Sequence, residues 1–199
     1  MKKLVLTFLA GALVVPPVSA APYVSGSVGW ASLTNSDTTY GGITNSNMIT
    51  YKSGVPFGGA IGIRNDAYRF EAALDYQSNV VDTVKRAGVP MTIPGHSVSS
   101  LSYMLNCYYD FTIKGSGVSP YLTAGIGGAN LTEKGGKTPD ETSTGFAWKL
   151  GTGLGVKASE NIVVDLGYRY FKPSSYYANG ATDITALSHN VLVGVRYCF

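Results

Sequence analysis

The residues able to do chemistry in this chain stand at alternate positions between apolar ones. In "YRFEAALDYQ", residues 68–77, Arg69, Glu71 and Asp75 share one side of an extended backbone with Ala73 and Gln77. Tyr68, Phe70, Ala72, Leu74 and Tyr76 occupy the other side. Successive strand side chains point to opposite faces, so one segment meets two very different environments. The same alternation puts Arg64, Asp110, Lys149, Asp165, Arg169 and Arg196 on the polar side of other segments. The chemistry open to these five cations and four carboxylates is ion pairing, because an unpaired buried charge is costly. Hairpin counting sets Asp165 beside Arg196, and it sets the like charges of Arg64 and Arg69, and of Lys149 and Arg169, opposite one another. Glu71, Asp75 and Asp110 are therefore expected to reach in from other strands and neutralise them.

Other chemistry finds little support. The glycines of "GTGLGV" (151–156) alternate within a strand, whereas a dinucleotide-binding run needs a strand, a turn and a helix. His96 and His189 lack ligand spacing, so no metal or other cofactor is expected. Cys107 and Cys198 fall on opposite faces of strands placed far apart, so no disulfide is expected between them. No nucleophile, histidine and carboxylate stand in a catalytic context, and the chain reads as no enzyme.

The elements that position the charges follow from composition and patterning. The start, "MKKLVLTFLAGALVVPPVSAAPYV", has a basic pair, an apolar run and a small-residue exit. That is the pattern of a secretory signal peptide over residues 1–20, cut between Ala20 and Ala21. The alternative, a membrane anchor, has too short an apolar run and is broken by Pro16 and Pro17. The mature chain, 21–199, keeps 13 basic and 12 acidic residues, a formal charge of +1, which argues against a nucleic-acid partner. Charged residues make up only 14% of the chain, yet no later stretch is long and apolar enough for a membrane helix.

Eight alternating strands are predicted: 24–32, 55–64, 68–77, 98–111, 120–130, 144–157, 162–171 and 190–199. Long and short connections alternate strictly between them, so the four long ones emerge at one end of an up-and-down meander. An even strand count lets the first and last strands pair and close an antiparallel barrel without free edges. The apolar face carries bulky residues with aromatics near strand ends, including Trp30, Tyr76, Tyr109, Tyr168 and Phe199. The polar face carries small ones, such as Ala147, Gly151 and Gly153. Small residues suit a crowded interior and aromatic girdles suit a membrane boundary, so the apolar face is expected to look into lipid. A soluble barrel would place it inside.

The pieces "YVSGSVGW" (23–30), "YYDF" (108–111), "PYLTAGIG" (120–127), "LGYRYF" (166–171) and "VGVRYCF" (193–199) carry a family resemblance. Across its mature length the chain resembles the eight-stranded outer-membrane barrels of Gram-negative bacteria. It looks closest to the branch of opacity proteins, major surface antigens and OmpA-like transmembrane barrels. The resemblance implies that the terminal strand, through Tyr197 and Phe199, is read by the barrel-assembly machinery. Cys198 stands where a polar or basic residue is more usual. Outer-membrane lipid is then the surrounding partner, the barrel a monomer, both mature termini periplasmic and the long loops exterior. The expected work is that of a surface antigen or adhesin with a side-chain-filled polar lumen, meeting a host or cell-surface ligand through its Ser/Thr/Asn/Gly-rich loops. A small porin-like channel is the first alternative, and a soluble periplasmic lipid-binding barrel the second.

Overall fold

A computed structural model of the protein describes residues 20–34, 36–40, 43–86, 89–92, 94–135, 140–174, 176–178, 181–184 and 187–199. The expected signal peptide, apart from its last residue, lies outside them. The described strands are β1 (Ala21–Leu33), β2 (Ser36–Tyr40), β3 (Ile43–Tyr51), β4 (Phe57–Asn65), β5 (Tyr68–Arg86) and β6 (Val89–Thr92). They continue with β7 (Ser97–Asp110), β8 (Val118–Lys134), β9 (Glu141–Lys157), β10 (Ile162–Pro173), β11 (Tyr176–Ala178), β12 (Ala181–Ile184) and β13 (Ser188–Cys198).

Eight of these strands form a ring of antiparallel pairs, β1–β4–β5–β7–β8–β9–β10–β13, and β1 pairs with β13 to close it. The closing ladder runs from Tyr23 opposite Cys198 to Leu33 opposite Ser188. The short connections and the beginning of β1 share one end of the barrel. The tightest is a two-residue turn, Asp66 and Ala67, between the paired Asn65 and Tyr68. Asp66 adopts a φ of 50°, which an aspartate tolerates better than most side chains.

Orientation follows the alternation. Ile61 is 65% exposed and Leu74 60%, whereas Arg69 is 2% and Lys149 1%. The greasy side of the wall therefore faces outward and the charges face the axis. On β7 the outward row runs Leu101, Tyr103, Leu105, Cys107, Tyr109 and then Phe111 just past the strand, all exposed. Ten residue steps of about 3.4 Å, tilted about 40°, cover roughly 26 Å, against the ~25 Å apolar band of a membrane barrel.

Two differences from the sequence reading have clear causes. Segments read as long loops contain β2, β3, β6, β11 and β12, and β5 runs on to Arg86. These segments are rich in Ser, Thr and Asn and show no apolar alternation, yet their backbones pair along the extended β5 and along one another. In the second difference, Lys149 lies opposite Phe171 and Arg169 opposite Gly151, so Lys149 and Arg169 are not direct partners. The turn there takes up residues 158–162, with the Ala158 and Ser159 amides both donating to the Ile162 carbonyl, at 2.9 and 3.1 Å. The longer turn moves the register two positions.

An arginine replacing Leu166, midway along β10 on the outward face, should cost about 2–4 kcal/mol of folding free energy. Urea titration of the barrel refolded into phospholipid vesicles measures this.

Candidate functional site

The lumen of the ring holds two charge groups joined by hydrogen-bonded tyrosines. Toward the short-connection end, Arg69 Nε and Nη2 donate to Asp110 Oδ2 and Oδ1 at 2.8 and 2.9 Å. Such a two-pronged contact fixes direction as well as distance. Arg196 Nη2 donates to Asp165 Oδ1 at 3.0 Å, and its Nη1 lies 3.9 Å from Asp110 Oδ2. Asp110 is thus shared by arginines from strands β5 and β13. The Arg69 guanidinium also sits 4.1 Å from the Tyr108 ring centre and 5.2 Å from that of Tyr121, and Arg196 sits 5.6 Å from that of Tyr23. Guanidinium planes over tyrosine rings gain from the ring quadrupole, more so out of water.

Further along the axis, Asp75 is held between Lys149 Nζ at 3.2 Å and Arg169 Nη1 at 3.0 Å. The ammonium and the guanidinium do not repel unchecked, because one carboxylate takes both. Glu71 lies between the two groups. Its carboxylate accepts from the Tyr23 hydroxyl (3.1 Å), the Asn106 amide nitrogen (2.9 Å) and the Tyr108 hydroxyl (3.1 Å). Three neutral donors satisfy its oxygens in place of the cation the sequence reading assigned.

Arg64 departs from that reading as well. It is register partner to Arg69, but it stands beside the two-residue turn and its Nε donates to the Asp66 carbonyl at 3.1 Å. At the rim, water solvates it, so it needs no lumen carboxylate. The lumen set is then Arg69, Lys149, Arg169 and Arg196 against Glu71, Asp75, Asp110 and Asp165, four of each sign. Asp165 and Arg196 do meet as the sequence suggested, although across a diagonal, since Asp165 is directly opposite Gly194.

Tyr23, Asn106, Tyr108 and Tyr121 were missed as lumen residues, although alternation was enough to find them. Asn106 and Tyr108 share parity with Asp110, Tyr23 with Ser25, and Tyr121 with Thr123. Their size hid them, because an interior was expected to carry small residues. The glycines make the room. Gly153 and Gly167 face each other in register, and a Cβ on either would come within 2.5 Å of the Tyr121 hydroxyl. The glycine run is a seat for an aromatic ring.

A cavity of about 80 Å³ remains beside the charges, bordered by Ser25, Ser27, Gly58, Arg69, Asp75 and Arg169 among others. Beyond it, toward the long-connection end, Met104, Ala129, Ala147 and Phe171 form a buried apolar cluster. At the other end of the wall, Tyr197 pairs with Val24 and Ile162, and its ring meets Phe199 edge to face at 5.1 Å. Ala21 opens β1 opposite Arg64. Cys107 is exposed on the outer face and Cys198 is half-buried, and both are free thiols. His96 is half-buried just before β7. His189 Nδ1 lies 2.6 Å from the Tyr168 hydroxyl on the outer wall.

Residues 4–199 match the model of the outer membrane protein beta-barrel domain. The chain belongs to that family. It is 28% identical to the outer membrane protein PagN of Salmonella typhimurium over 124 residues, 52% of each protein. It is 35% identical to the 25 kDa outer-membrane immunogenic protein of Brucella abortus over 85 residues, 41% of this chain and 39% of that protein. The chain thus spans about half or less of the length of the curated relatives it matches. Among solved structures, Neisserial surface protein A superposes with a TM-score of 0.62 at 22% identity, covering 92% of this chain and 100% of that one. That likeness concerns the fold. A greasy outer wall, a charged axis and the family together make this an integral protein of the bacterial outer membrane, surrounded by its lipid.

Replacing Asp75 by Ala strands Lys149 and Arg169 in the lumen and should destabilise the barrel by about 3–5 kcal/mol. Replacing Arg64 by Ala should change stability by less than about 0.5 kcal/mol. Urea midpoints of the two refolded variants, compared with the parent, provide the measurement.

Proposed function

We propose that the protein is a monomeric surface antigen of adhesin type, whose work lies in the strands and connections at its long-connection end. That end faces the cell exterior, and the mature termini face the periplasm. Residues 1–20 are the secretory signal peptide, removed between Ala20 and Ala21, which leaves 21–199 as the barrel domain. The barrel-assembly machinery reads the terminal strand through Tyr197 and Phe199. The barrel carries no enzymatic activity.

The single observation behind this reading is the filled lumen. Arg69, Asp110, Lys149 and Arg196 are each no more than 4% exposed, with Phe171 and Met104 buried beyond them. A wall whose interior is occupied by paired charges and apolar side chains offers solutes little, which leaves the projecting end as the part able to meet a partner. A relative named as an immunogenic outer-membrane protein supports the antigen reading. The lumen charges act as a plug that holds strand register.

A small channel is the second reading, favoured by the cavity of about 80 Å³ along the charges. By this measure of volume a water needs roughly 10–15 Å³, so the cavity holds a handful of waters and falls far short of a pore.

Pure protein refolded in a planar bilayer should give no stable large openings, and regular openings would favour the channel. Deleting the segments 34–53, 81–96, 135–140 and 174–187, which lie beyond the ring ladders, one at a time should lower adherence of expressing cells to host cells in at least one deletion. Unchanged adherence in all four would remove the adhesin reading.

A further inference from the structure

We infer that the outer rim of β1, β9, β10 and β13 binds the phosphorylated headgroup of an outer-leaflet glycolipid. Toward the long-connection end, the described outward side chains of these adjacent strands include no carboxylate, and their basic groups are Lys172 and His189. Lys172 is the register partner of Trp148, and His189 that of Tyr170. The rings touch in a chain. Trp148 and Tyr170 have centroids 5.4 Å apart, Tyr170 and His189 5.5 Å, and Tyr168 and His189 6.1 Å. The Tyr168 hydroxyl engages His189 Nδ1 at 2.6 Å, which leaves Nε2 as the ring atom without a partner among the described residues. Lys172 makes no ion pair with any described residue, in contrast to the lumen cations.

On the other edge of β9, where it meets β8, the neighbouring outward groups bond to one another instead: Asn130 and Thr144 at 2.9 Å and Thr132 and Thr142 at 3.0 Å. An aromatic belt marks the depth where acyl chains give way to headgroups, and a basic side chain at that depth keeps its stem in the apolar layer and its charge at the surface. Anionic headgroups are drawn to such a group. The occupant is therefore a lipid carrying a phosphate on its sugar headgroup, with its acyl chains along the aromatic wall. This inference rests on the reading that the long connections face outward.

The test uses the full barrel refolded in nanodiscs of zwitterionic phospholipid. The chain has two tryptophans, Trp30 and Trp148, and both flank the patch, so their emission reports on it. Titration with bisphosphorylated lipid A should give a saturable change. Lys172→Gln and His189→Gln should each weaken it about fivefold, while Lys114→Gln, at the opposite rim, leaves it unchanged. Heat-modifiable gel migration checks that each variant folds. Dephosphorylated lipid A and inorganic phosphate should give no saturable response. Equal affinity in the parent and Lys172→Gln would overturn the inference, as would binding of the dephosphorylated lipid or of phosphate alone. Nanodisc leaflets are equivalent, so a wrong orientation would leave this result untouched, and labelling of the long connections on intact cells decides orientation separately.

Discussion

Hydrocarbon offers nothing to a peptide N–H or C=O, so each backbone group within the bilayer needs a partner from the chain itself. That requirement makes the ladder between β1 and β13 the contact on which the rest depends. Without it the sheet would present two open edges to lipid; with it, the first and last strands of the barrel become neighbours. Once the ring closes, the pleat decides what each side chain meets. A register slip of one residue would put Arg69 in lipid and Phe70 on the axis.

Closure also sets a volume, and the lumen is shaped by what that volume must hold. Eight strands leave only enough space for side chains to fill. Here bulky groups, Tyr23, Tyr108 and Tyr121, share it with four cations and four carboxylates. Two devices reconcile size with space. Glycines at Gly62, Gly153 and Gly167 recess the wall where Tyr23 and Tyr121 lie. Charge neutrality is reached across the axis, with Asp75 on β5 taking Lys149 from β9 and Arg169 from β10. Pairs that bridge non-adjacent strands tie distant parts of the wall together. They hold the register that the backbone ladders alone would specify less tightly.

Much of this was legible in the residues. Strict alternation in 68–77 and 190–199, long connections at one end and aromatics at strand ends were enough for the barrel and its orientation. The lumen was legible in kind, because parity alone assigns Asp110 and Arg169 to the axis. It was less legible in detail. Arg64 has inward parity, but its place beside the Asp66 turn gives it water, and parity carries no information about depth. The pairing of Lys149 followed a turn whose length was misjudged by the count of residues. The outer strands were invisible for a different reason. Thr50 and Thr83 pair through their hydroxyls at 2.7 Å in segments whose apolar residues do not alternate, so no periodicity marks them.

Those outer strands change what the exposed end is. A bilayer crossing takes about 9–11 tilted residues, and β5 has 19, while β8 and β9 have 17 each. The excess rises beyond the apolar band, where water could satisfy a backbone on its own. Instead β5 keeps pairing, with β3 on one edge and β6 on the other. The outward side chains there turn to hydroxyls and amides, as at Thr132, Thr142 and Asn130, so the surface is polar while the backbone beneath it stays laddered. A laddered support loses less conformational entropy on meeting a partner than an unpaired loop would. The closed ring below therefore serves the exposed end in a physical sense: β5 belongs to both, and the lumen pairs that fix its register also fix where its outer half stands.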